Sequence, residues 1–288
     1  MDEAGFITAL RHLATASEAR GLADDCAVSG KMVVTHDMMV AGVHFREDAD
    51  PADVAWKLIA ANLSDLAAKG ARPKGVLLGH MLGDEAWDAR FVAGLRDALQ
   101  GMNVALWGGD TVRGATHGQR SFGLTAIGEA VHLPVPSRSG ARPGDTLWVT
   151  GEIGAAMLGF EGNSAASIAR FNRPVPRTTE GLALAPLVTA MMDVSDGLLL
   201  DAQRMAEASG VCIAIDSPAV PMPAAMPPDR RGDAMRWGDD YELLFTLPAG
   251  ISPPVEATRI GTVEARGAAS LLVDGAIPDN GKALGYQH

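Results

Sequence analysis

DPADVAWKLIAANLSDLAAKGARPKGVLLGHML, residues 50–82, holds the succession on which the fold turns. Asp50 and Pro51 form a helix start, with an aspartate to cap free amides and a proline at the first helical position, where its missing N–H costs nothing. Apolar residues recur at helical spacing at Trp56, Ile59, Ala60, Leu63 and Leu66, and Gly70 closes the helix. GVLLGHML (75–82) then reads as a buried strand. A helix leading into a strand is the unit of an α/β protein, and the flanking sequence repeats it.

Upstream, residues 6–20 place Phe6, Leu10, Leu13 and Ala14 on one helical face, and KMVVT (31–35) reads as a strand. Downstream come a helix at 85–100, strand NVALWGGD (103–110) and strand SFGLTAIGEAV (121–131). The texture changes at PVPSRSGARPGD (134–145), whose Pro, Ser, Gly and Arg suit a domain edge. Beyond it the pattern predicts strand TLWVT, a helix near 152–160, the loop NRPVPR and a helix near 179–191. A helix at 197–208, strand VCIAID, strand ELLFTL and a strand near 258–264 complete it. The expectation is two α/β domains, 1–136 and 137–288.

The chain has 288 residues, 47% hydrophobic and 20% charged, which is ample for well-formed cores. Its net charge of −11 argues against a protein that grips nucleic acid through phosphates. Small phosphorylated ligands remain open, because a metal ion can supply positive charge locally. Cys26 and Cys212 form no CxxC pair, no apolar run reaches membrane-spanning length, and the acidic N-terminus has no signal-peptide layout. A cytoplasmic chain with no membrane partner is expected.

Aspartates recur at element ends: Asp24-Asp25, Asp37, Asp110, Asp193, Asp196 and Asp239-Asp240. Any one of them has an ordinary role in a turn or cap. Asp65 sits mid-helix, where Asp is a poor former. In MMDVSDGLLLD (191–201) one acid can cap the following helix and the other is left to explain. Converging carboxylates at about 4 Å would cost about 4 kcal/mol per pair at an effective dielectric of about 20, so a cluster needs cations. Oxygen-only ligands favour Mg²⁺, which joins substrate phosphates and points to phosphoryl transfer. The familiar P-loop, dinucleotide and protein-kinase signatures are missing, and glycine-flanked WGGDTVRG is the candidate phosphate cradle.

Taken together, GLADDCAV, THDMMVAGVHF, DPADVAWKLIAANLSDLAAKGARP, GGDTVRG, SRSGARPGD, MDVSDGLLLD, GDDYELLFTLP and the closing GYQH resemble the thiamine-monophosphate kinase family, within the aminoimidazole ribonucleotide synthetase-like superfamily. The resemblance implies an ATP-dependent kinase converting thiamine monophosphate to thiamine diphosphate, with several Mg²⁺ ions and often K⁺. It implies a two-domain α/β fold and a homodimer whose N-terminal sheets pair into a barrel. Family metal ligands fall on Asp25, Thr35, Asp37, Asp65, Asp110, Asp193 and Asp196, with Asp110, Asp193 and Asp196 central to catalysis. Nucleotide contacts fall on Gly109, Asp110, Arg138 and Ser195, and substrate contacts on His44, Asp239 and Tyr286. Two positions depart from the pattern: the acid before DYEL is usually glutamate and is Asp239 here, and the small polar residue before Asp37 is His36. The rival readings are another ATP-using synthetase of the superfamily and a non-catalytic nucleotide-binding scaffold.

Overall fold

The computed structural model describes residues 3–113, 120–279 and 281–286; Gly114 of GGDTVRG and the last two residues of GYQH lie outside them. The N-terminal half runs α1 (Glu3–Arg11), β1 (Ala27–Ser29), β2 (Met32–Val40), α2 (Pro51–Ala68), β3 (Ala71–Leu82), α3 (Glu85–Gly101), β4 (Ala105–Arg113) and β5 (Ser121–Ala130). Its five strands are ordered β1-β2-β5-β3-β4, with β3 and β4 parallel and the other pairs antiparallel. Along β2 the even-odd period sorts the side chains: Val33, Thr35 and Met39 are buried, while Met32, His36 and Met38 are exposed on the opposite face.

The C-terminal half runs β6 (Thr146–Val149), α4 (Ala155–Phe160), α5 (Ala165–Asn172), α6 (Thr178–Leu184), β7 (Ala190–Asp193) and α7 (Leu198–Ser209). It continues through β8 (Val211–Ile215), α8 (Arg231–Trp237), β9 (Leu243–Leu247), β10 (Thr258–Ala265) and β11 (Leu271–Val273). These strands form one mixed six-stranded sheet in the order β11-β8-β10-β6-β9-β7. Among the described residues no helix is long and apolar enough to cross a membrane.

The expected helix over 6–20 is shorter. It stops at Arg11, and Ser17–Leu22 form a tight turn in which Arg20, Gly21 and Leu22 adopt positive φ. The expected helix near 179–191 also divides: α6 ends at Leu184, just before Pro186, and residues 190–193 form β7 against β9. The short α5, α8 and β11 carry too little periodicity to have been expected.

α2 joins the two halves. Asp50 caps it through Ala52 N (2.9 Å), as the sequence predicts. One side packs against the N-terminal core around Leu58, Ile59 and Leu63. Its last turn, Ala67 and Ala68, packs with Leu184, Met191, Leu243 and Phe245 of the other half. Gly70 allows this approach: its φ is +54°, and a Cβ there would lie 2.3 Å from Ala185 Cβ.

Candidate active site

Burial on nearly all sides makes the polar residues of α2 conspicuous, because a buried polar group must find a partner. Together with Lys69 at the helix end, they reach β2, β7 and three loops. Asn62 Oδ1 accepts the Asp37 amide (3.1 Å), and the Ser64 hydroxyl donates to Asp193 Oδ2 (2.6 Å). Asp65 accepts a hydrogen bond from the Thr35 hydroxyl. Lys69 pairs with Asp24 and lies 2.5 Å from Asp25 Oδ2. Lys57 donates to Asp239 Oδ2 (2.8 Å) and to the His44 carbonyl (3.2 Å). The sequence singled out only Asp65 in this helix. The missed signal was a lysine, an asparagine, a serine and a second lysine inside an otherwise apolar helix.

At the centre, carboxylate oxygens of Asp25, Asp65 and Asp193 all lie within 4.8 Å of one another. Burial pushes the Asp193 carboxyl up to about 8, helped by the charge of Asp25 and opposed by the Ser64 hydrogen bond. Burial likewise raises Asp65 well above the usual range, with Asp37, Asp193 and Asp25 adding to it. Asp37 is pushed up to about 6 by burial and by Asp25 and Asp196. Asp24 behaves oppositely: burial would raise it, but Lys69, with hydrogen bonds from Ser137 and Arg20, holds it below the usual carboxylate range. It is a structural counter-charge.

Asp25 is gripped by Arg138, whose Nε donates to Oδ1 at 2.5 Å. Its Oδ2 is buried and, despite the nearby Lys69 ammonium, has no directional hydrogen bond. Three close carboxylates, with burial raising the pKa of Asp65 and Asp193, oxygen donors only and an incompletely satisfied oxygen fit a hard divalent cation such as Mg²⁺. Asp25, Asp65 and Asp193 would hold it, with Asp37 and Asp196 at the rim. Cys26 is no competing ligand: burial pushes its thiol up, and its Sγ lies 3.7 Å from the Asp65 carbonyl.

The cluster gives a stability prediction. A carboxyl raised in the fold stabilises it at low pH, and that contribution is lost as pH rises through the folded value. For Asp37 and Asp193 the window runs from about 4 to about 8. The melting temperature of the metal-free protein should therefore fall across this window, and Mg²⁺ should raise it more at pH 8 than at pH 5. A Mg²⁺ effect of equal size at both pH values would contradict this assignment.

MMDVSDGLLLD resolves differently from a simple cap. The residue preceding α7 is Gly197, and no side chain caps the helix there. Asp201, inside the first turn and fully buried, accepts the amides of Ser195 (3.2 Å) and Asp196 (3.1 Å). The carboxylate organising this loop is thus Asp201, which the sequence reading passed over, and both Asp193 and Asp196 are released from capping. Arg204 pairs with Asp196 and, at 3.1 Å, with Asp201.

The loop at 238–241 docks on the same segment: Asp239 N donates to Ser195 O (2.8 Å) and Tyr241 N to Val194 O (2.9 Å). Gly238, at φ +100°, sits so close that a Cβ would lie 2.5 Å from Ser195 O. The tail approaches from the other side, Tyr286 N donating to Asp196 O at 2.8 Å. His44 Nδ1 accepts the Val40 amide (3.0 Å), closing the turn after β2. The His36 side chain faces away from the cluster, its Nδ1 2.9 Å from Thr125 Oγ1 on the other face of the sheet.

Two expected residues stand apart. Gly109 and Asp110 lie on β4, an exposed edge strand separated from β2 by β5 and β3. Three inter-strand steps of about 4.8 Å put β4 about 14 Å from β2. Within one chain, then, Asp110 does not join the Asp25–Asp65–Asp193 group.

Fold and site together define a class, and the family models agree with it: AIR synthase related protein, N-terminal domain, matches residues 23–130, and the corresponding C-terminal domain matches 142–274. Thiamine-monophosphate kinase of Salmonella typhimurium is 38% identical over 252 residues, 79% of this chain and 76% of the relative. That of Escherichia coli K12 is 37% identical over 252 residues, with the same coverage. Among solved structures, one described as AaThiL complexed with AMPPCP and TMP superposes with a TM-score of 0.87 at 28% identity, covering 100% of this chain and 97% of the other. Thiamine-monophosphate kinase from Stenotrophomonas maltophilia gives 0.77 at 34% identity, covering 94% and 95%. The chain belongs to the thiamine-monophosphate kinase family.

Proposed function

We propose that the protein transfers the γ-phosphoryl group of ATP to the phosphate of thiamine monophosphate, making thiamine diphosphate, as a cytoplasmic homodimer. The observation that carries this reading is the buried Asp25–Asp65–Asp193 cluster at the junction of the two halves, in a member of this kinase family. A relative solved with AMPPCP and TMP supports both substrates. The domain division is placed near residue 136, with the N-terminal part contributing most metal ligands and the dimer contact.

The acceptor phosphate has a second pKa of about 6 and is largely ionised at pH 7, so no strong general base is needed. The difficulty is like-charge repulsion between acceptor and donor. Bound Mg²⁺ would neutralise charge on the transferred group. Asp25, Thr35, Asp37, Asp65, Asp193 and Asp196 would hold the cations, and K⁺ is an additional requirement to test. Arg138, now on Asp25, has the forked guanidinium that suits phosphate oxygens. Ser195 and Gly109 bind the nucleotide, while His44, Asp239 and Tyr286 form the thiamine end. Transfer is in-line, without a phosphoenzyme.

The exposed side of the N-terminal sheet supports the dimer reading. The face turned away from α2 and the edge strand expose Met32, Met38, Leu77, Leu106, Trp107 and Val112. An apolar face of this extent is suited to a second copy of the same sheet, closing into a barrel. A partner's edge strand would also bring Asp110 to the cluster that its own chain cannot reach.

Incubation with ATP, Mg²⁺ and thiamine monophosphate should yield thiamine diphosphate, measured chromatographically. No product at any Mg²⁺ or K⁺ concentration overturns the assignment, and a trapped phosphoaspartate overturns the in-line step.

A further inference from the structure

Lys57 is a buried charged side chain that the reaction above does not use. Its side chain is 3% exposed, and its ammonium meets Asp239 Oδ2 at 2.8 Å, the His44 carbonyl at 3.2 Å and the Phe171 ring centroid at 3.9 Å. These partners come from three separate segments: the loop before β9, the turn after β2, and α5. The other oxygen of Asp239 accepts from the Tyr241 hydroxyl at 3.0 Å. Asp239 and Tyr241 both adopt left-handed backbone, at φ 60° and 52°, a conformation that persists only where the surroundings over-determine it. Backbone hydrogen bonds to Ser195 and Val194 supply part of that hold, and Lys57 supplies it from the side-chain end.

We infer that Lys57 is a positioning and specificity-determining residue: it fixes the Asp239 carboxylate and balances its charge, so that Asp239 reads a neutral N–H donor on an aromatic ring rather than a cation. A carboxylate offers about four lone-pair sites, and Lys57 and Tyr241 take two. The side chain is 30% exposed, so the remaining sites stay open to a ligand. A cation placed there would meet the Lys57 ammonium as a like charge, whereas an amino N–H would not. The inference rests on thiamine monophosphate as substrate, whose rings carry both an aromatic amino group and a thiazolium cation, so one molecule contains both alternatives.

The test is steady-state kinetics of the full chain with Lys57→Met, Asp239→Asn and the double variant. The substrates are thiamine monophosphate, an analogue with a carbonyl oxygen in place of the amino group, and an analogue with an uncharged thiophene in place of the thiazolium. Lys57→Met should raise KM for thiamine monophosphate about tenfold and leave KM for ATP within about twofold. The double variant should be no worse than the worse single one, because Lys57 acts through Asp239. Wild type should lose more with the carbonyl analogue than with the uncharged-ring analogue, and Asp239→Asn should shrink that discrimination. If Lys57→Met melts much lower, Asp239→Asn, which leaves the Lys57 stem in place, must still raise KM for thiamine monophosphate about tenfold and leave KM for ATP within about twofold. An unchanged KM in folded Lys57→Met, additive losses, or the opposite analogue order overturns the inference alone. A wild type inactive on thiamine monophosphate overturns the proposed function, and this inference with it.

Discussion

Asp193→Asn should fold normally and lose phosphoryl transfer by at least about a thousandfold. Asp193 ends β7, where pairing with Leu243 of β9 fixes its backbone, and it is 2% exposed. Asparagine has nearly the same shape, and its amide oxygen can still accept from Ser64, now at 2.6 Å from Oδ2. What is lost is a negative charge that burial and Asp25 already disfavour, pushing the carboxyl up to about 8. The metal-free variant should therefore melt no lower than wild type at pH 8, while its Mg²⁺-dependent gain in melting temperature should shrink sharply. The pair of measurements separates a cation ligand from a structural residue. A structural role would lower the metal-free melting temperature and leave the Mg²⁺ response intact. Retention of more than about a tenth of the activity would remove Asp193 from the reaction.

The alternation of helix and strand and the cap and stop of α2 were legible because local physics writes them: Asp50 and Pro51 at one end, Gly70 at the other, apolar residues between. Asp65 was legible for the opposite reason, as a residue that local physics disfavours. Lys57 and Lys69 were not, because a lysine on a helix ordinarily reads as a solvated face. Only the folded chain turns them into buried ammonium groups with distant carboxylate partners, Lys57 with Asp239 of the second half and Lys69 with Asp24 from the N-terminal loop before β1, both more than 40 residues away in sequence. Asp201 was hidden in the same way. An acid in a first helical turn suits the helix dipole wherever it points, and its hold on the Ser195 and Asp196 amides depends on how the loop turns back. The order of the C-terminal sheet, in which β6 lies between β10 and β9, is set by non-local pairing and leaves no trace in any short window.

Mixing two inactive variants should restore activity if the dimer assembles the site as proposed. Asp193→Asn chains keep Asp110, and Asp110→Asn chains keep Asp193. Asp110 sits on the exposed edge strand β4, while Asp193 lies in the buried cluster with Asp25 and Asp65, so one chain does not unite them. In a two-fold dimer that shares these residues across its interface, each heterodimer holds one fully wild-type site and one doubly damaged site. A 1:1 mixture after subunit exchange is about half heterodimer, so about a quarter of wild-type activity should return from two preparations that are each nearly dead. If both residues served the same site from one chain, every site in the mixture would carry a lesion and nothing would return. The apolar face supplies the control. Trp107, 55% exposed on β4, is a contact residue in this arrangement. Trp107→Glu would place a charge on that face, so it should shift the protein to monomer in sedimentation, abolish the recovery and lower activity about a hundredfold. A Trp107→Glu protein that stays dimeric and active would remove this face from the dimer contact, and a mixture that recovers nothing would overturn the sharing of Asp110 and Asp193 between chains.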